Sequence, residues 1–129
     1  MYDWVMQRRT HVPPGWPPRV HPPDTPDWEA TATAWLFDHS PPEFRSYPVL
    51  NRHVVVLARF TLLHVEASLS AARRGISTTR DGLADFAPAA VVEAALLAHQ
   101  REEARLLRLH REVILVQEAL RGRRFVPRL

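Results

Sequence analysis

Three stretches of this chain place apolar residues at helical spacing, and each is bounded by proline or glycine. In the first, Trp28, Ala32, Trp35, Leu36 and His39 fall on one face at a period near 3.6. Thr25 stands where a cap belongs, Pro26 suits the first helical position, and Asp27 and Glu29 sit in the electropositive first turn. The pattern predicts a short helix over 26–39, ended by Pro41-Pro42. Ser40 and Glu43 then read as a capping box for a single turn ending near Tyr47.

The second stretch predicts a helix over about 48–74, free of internal Gly and Pro, with Gly75 in the capping position. Its stripe of Leu50, Val54, Leu57, Thr61, His64, Ser68 and Ala71 starts apolar and ends small or polar. Val55, Val56, Phe60, Leu62 and Leu63 widen the apolar arc beyond what one neighbouring helix covers. The third predicts a helix from Pro88 to about 121, with Gly122 as its stop. Val92, Ala95, His99, Glu102, Leu106, Leu109, Val113, Val116 and Leu120 alternate three and four apart as a heptad seam. The expected fold is all-α: a long antiparallel helical hairpin (48–74 and 88–121) with residues 76–87 as the connection. The 26–39 helix packs on the open end of that hairpin. In this register His64 faces His99.

The ends have a different character. Seven of the twelve prolines fall by position 26, and residues 13–18 read Pro-Pro-Gly-Trp-Pro-Pro. Residues 1–25 are therefore expected as an extended, polyproline-like arm. Its Trp4 and Trp16 either dock on the helices or recognise a partner. Residues 26–122 form the helical domain, and 123–129 a basic tail.

Composition changes this picture little. Hydrophobic residues make up 46% of the 129, enough for a packed core, and the absence of cysteine suits a reducing, cytoplasmic setting. All 17 basic residues are arginine, yet the net charge is only +3, a weak field for a polyanion ligand. Arginine, alanine and proline enrichment without lysine is similar to that of short proteins from GC-rich bacterial genomes, a likeness that implies no activity. The apolar run over 54–58 is cut by Arg59, and no stretch reaches ~20 uninterrupted apolar residues, so no membrane span is expected.

Candidate chemistry is sparse. His64, His99 and Glu102 on facing helices are weak candidates for a metal site or a pH switch. Ferritin-like sites need Glu-x-x-His on two helices, whereas here His99 precedes Glu102 on one. No phosphate loop, nucleophile elbow or HExxH motif is present, so neither an enzyme nor a cofactor is expected. Arg121, Arg123, Arg124 and Arg128, with Arg8, Arg9, Arg45 and Arg52, are candidates for a polyanion contact at the open end of the hairpin. Trp4, Trp16, Phe60 and Leu63 are candidates for protein contact. The leading expectation is a non-enzymatic interaction module, with a protein partner or a second copy of itself. A nucleic-acid- or ribosome-associated regulator is the alternative.

Overall fold

The computed structural model describes residues 11–127. The described residues are helical with no strand: α1 (Trp28–Asp38), a 3-10 turn (Pro42–Ser46), α2 (Pro48–Arg52), α3 (Val54–Leu83) and α4 (Ala89–Leu120). The two long helices, α3 and α4, pack together as a hairpin, as their apolar spacing requires. The chain divides into two compact units. One joins residues up to 62 with those from 111 onward; the other comprises 63–110.

In the first unit the core gathers around Leu36, Leu50, Leu57, Val113 and Val116, each with essentially no exposure. Trp28, Ala32 and Trp35 of α1 join it, as the 3.6-residue face predicts, and so does Phe37, which that face leaves out. Both expected caps at this end are absent. Thr25 Oγ1 donates to the Pro22 carbonyl, and Asp27 in the cap position bonds His21 rather than the helix. Ser40 does not close a capping box with Glu43 either. Its hydroxyl donates to the Leu36 carbonyl or to Thr61 Oγ1, 2.8 Å away, while the Thr61 hydroxyl also lies 2.9 Å from the Leu57 carbonyl. Buried Thr61 thus ties the end of α1 to α3, because a hydroxyl sealed from water must find a partner.

The helix expected from Pro48 is interrupted at His53, whose backbone is extended (φ −129°, ψ 94°). The β-branched run Val54-Val55-Val56 follows at once and gives weak local support to a continuous turn. With the break, Leu50 buries fully while Val49 and Arg52 stay outside.

In the second unit Gly75 does not cap α3, which runs on to Leu83. Past the glycine the hydroxyls of Ser77 and Thr78 bond the Arg74 carbonyl, and that of Thr79 bonds the Gly75 carbonyl, along the continuing helix. The connection shrinks to 84–88, where the Phe86 and Ala87 amides close on the Leu83 carbonyl. The inward face of α3 here is Val65, Leu69, Ala72 and Thr79; His64 and Ser68 are half-buried and Ala71 exposed. Leu57, Ala58, Thr61 and Leu62 are all buried, and the buried positions that follow continue the four-three spacing of Ala58 and Leu62, one residue out of phase with the stripe extrapolated from Leu57. On α4, Val92, Leu96, Leu106 and Leu109 are buried and Glu102 exposed.

Candidate interaction surfaces

The longer hairpin resets every cross-helix pairing in the 63–110 unit. Arg73 bonds Glu103 (2.9 Å), Arg80 bonds Glu93 (3.0 Å) and Glu66 bonds His110 (3.1 Å). The His99 ring lies flat against Gly75, in the space a β-carbon would fill. His64, which the shorter hairpin would set opposite His99, is three turns back along α3, roughly 16 Å at about 1.5 Å per residue. Glu102 turns outward and pairs with Arg105 on its own helix at 2.6 Å, and that hydrogen bond holds its carboxyl below the usual range. The three metal candidates do not converge, and among the described residues no other set of three His, Asp or Glu does.

The proline-rich arm is folded from residue 11 onward rather than extended. Residues 13–16 make a type II turn: the Trp16 amide bonds the Pro13 carbonyl (3.1 Å), with Gly15 in the left-handed region at φ +90°. A second turn closes from Pro17 to Val20, and Trp16 Nε1 donates to the Val20 carbonyl at 2.8 Å. Pro17, Val20 and Pro23 are buried, and Trp16 is half-buried. Trp16 meets Phe125 of the C-terminal tail in an edge-to-face arrangement, with 5.9 Å between ring centres. Trp4 lies outside the described residues.

The tail is built into the same unit. Gly122, at φ +102°, ends α4 in a Schellman motif: its amide bonds the Ala119 carbonyl, and the Arg123 amide reaches back to Glu118. Arg123 pairs with the Glu118 carboxylate and covers the Phe125 ring at 5.0 Å. Arg124 forks onto both oxygens of Asp24 (3.0 and 2.9 Å) and donates to the Ala119 carbonyl at the helix end. Asp24 itself sits at φ +76°, a conformation that Asp tolerates better than most residues. Arg45 pairs with Asp38 and lies over Phe37.

Of the eight arginines of the proposed polyanion set, Arg45, Arg123 and Arg124 each hold a carboxylate within the fold. Arg52 and Arg121 are exposed and have no carboxylate partner among the described residues. Arg8, Arg9 and Arg128 lie outside those residues. The sequence hint that something held the tail was Phe125-Val126, an apolar pair with no place in a purely solvated segment.

Of the proposed protein contacts, Phe60 is 42% exposed and stacks edge-on with Phe44, and Leu63 is 47% exposed. In the 63–110 unit Phe86 (84% exposed), Val91 and Leu97 also point outward. Helix α3 contains an 18-residue window of mean hydropathy 1.5, so by length and composition alone it could cross a membrane. The expectation of no such segment counted uninterrupted runs, and isolated charges such as Arg59 and Glu66 broke those runs without lowering the average enough. One side of α3 is core, so the folded chain already uses part of that hydropathy. Comparison with protein-family models, curated proteins and solved structures finds no match.

Proposed function

We propose that this protein is a non-enzymatic helical interaction module of a bacterial cytoplasm, an adaptor or a homo-oligomeric assembly component. The observation that carries this reading is the outward placement of large apolar side chains at the 63–110 hairpin. Phe86 at its turn, Val91 and Leu97 on α4 and Leu63 on α3 are all exposed. Scattered single apolar residues are ordinary on a surface, but an almost fully exposed phenylalanine on a tight helical turn gains nothing for the fold. Burying such side chains against a partner recovers roughly 25 cal/mol per Å² of apolar area.

The experiment is light scattering of the purified protein across micromolar concentrations, with Phe86→Ser and Leu97→Ser as variants, together with affinity capture from a cell extract. Mass that rises with concentration, or a captured partner lost in the variants, is the expected result. A constant monomer whose captured proteins are indifferent to both variants defeats the reading. The nucleic-acid alternative draws on the same arginine set, of which Arg45, Arg123 and Arg124 already hold Asp38, Glu118 and Asp24.

A further inference from the structure

Residues 44–65 contain no aspartate or glutamate, while arginines recur at 45, 52 and 59. As far as Leu62 this segment belongs to the first unit, where it forms the end of the 3-10 turn, α2 and the opening turns of α3. Its inner side is core: Leu50, Leu57, Ala58 and Thr61 are fully buried. Its outer side carries Tyr47, Val49, Val55 and Phe60, each 40% to 50% exposed. Between them stand Arg52 and Arg59, exposed and without a carboxylate partner among the described residues. Exposed apolar side chains and cations without a carboxylate partner among the described residues thus recur along the outer surface of one short stretch of chain.

We propose that this surface docks on an anionic lipid bilayer, lying in the headgroup region without spanning it. An interfacial site needs apolar side chains that enter the acyl boundary and cations that meet lipid phosphates, and Tyr and Phe suit the headgroup level. A nucleic acid would use the two arginines but has no use for exposed Val49 and Val55. A second copy of the same surface would set arginine against arginine. Neither cation nor apolar group suffices alone: near an anionic membrane each arginine adds about 1 kcal/mol, so two give only weak attraction. This reading uses none of Leu63, Phe86, Val91 and Leu97, so either proposal can fail without the other.

The test is co-sedimentation of the full chain with vesicles of phosphatidylcholine and phosphatidylglycerol, against vesicles of phosphatidylcholine alone. Binding is expected only with the anionic lipid and weakens as salt rises. Arg52→Gln with Arg59→Gln reduces it about 30-fold. Val49→Ser with Val55→Ser reduces it at least about tenfold at unchanged salt dependence. Circular dichroism and thermal melting establish that both double variants are folded, as these exposed sites lead one to expect. No binding to anionic vesicles overturns the proposal, as does equal binding to neutral ones. Full binding by the valine variant also overturns it, reducing the surface to a plain polyanion contact, and full binding by the arginine variant overturns its charge requirement.

Discussion

At Gly75 two effects of opposite sign meet. Alanine is better than glycine in a helix interior by about 1 kcal/mol, but its β-carbon would enter the space of the His99 ring. Overpacking costs about 1–3 kcal/mol, so Gly75→Ala is expected to destabilise by roughly 1 kcal/mol in urea unfolding. Adding His99→Ala should restore the loss, because the obstruction goes with the ring. A stabilised Gly75→Ala single variant would contradict the packing described here. Thr61 offers a second residue-scale test. Thr61→Val keeps the shape but removes the hydroxyl shared with Ser40, and about 1–2 kcal/mol should be lost. Titration adds a third. His21 hydrogen-bonds Asp27, and Arg105 hydrogen-bonds Glu102, each lowering the carboxyl pKa. A carboxylate whose folded pKa is depressed contributes stability above its unfolded pKa, near 4, and loses it as pH falls through the folded value. Both groups are exposed, so the effect is small and screened by salt. Asp27→Asn should flatten the acid limb of the stability–pH curve and leave the neutral region almost unchanged.

At the scale of elements, the arm and the tail stabilise each other. Trp16, Phe125, Arg123 and Glu118 form one contact chain, and Arg124 joins Asp24 to the end of α4. Trp16→Ala should cost about 2–3 kcal/mol, below the ~3–5 of a fully buried aromatic because Trp16 is half-exposed. Truncation after Arg121 removes Phe125, Arg124 and the Schellman glycine together and should lower the melting temperature comparably. Combining truncation with Trp16→Ala should add little, since the two changes remove the same contacts. Full additivity in thermal unfolding would show that arm and tail act separately.

At the scale of the whole molecule, charge and apolar exposure set what it meets. Most charged side chains with partners are paired at the surface, where such pairs add little stability but reduce the net field. What is left over is local: an acid-free stretch near α2, and exposed Phe86, Val91 and Leu97 on the hairpin. Phe86→Ser should therefore leave the urea midpoint nearly unchanged, since the ring is 84% exposed, while reducing any self-association seen by light scattering. A large drop in midpoint would mean that the ring supports the fold instead of a contact.

The helical class, three of the main helix ends, the apolar face of α1, that of α3 as far as Thr61 and that of α4 apart from Glu102 follow from the order of residues alone. Periodicity near 3.6, the prolines at 41, 42 and 88 and the glycine at 122 are local signals, and local signals read directly. Gly75 reads as a stop by the same logic, and there tertiary structure decided otherwise. There α3 winds on through the glycine with the His99 ring of α4 packed against it, and no local pattern contains that contact. From that one residue the hairpin register followed, and with it the separation of His64 from His99. Near Leu57, Ala58, Thr61 and Leu62 the apolar pattern leaves two phases open, and the packing continued the one through Val65 and Leu69 rather than the one through His64 and Ser68. The arginines show the same division. Their number and spacing are written in the chain, but whether an arginine is free depends on what folding brings within 3 Å. Asp24 lies 100 positions before Arg124, and only closure of the arm onto the tail makes them neighbours.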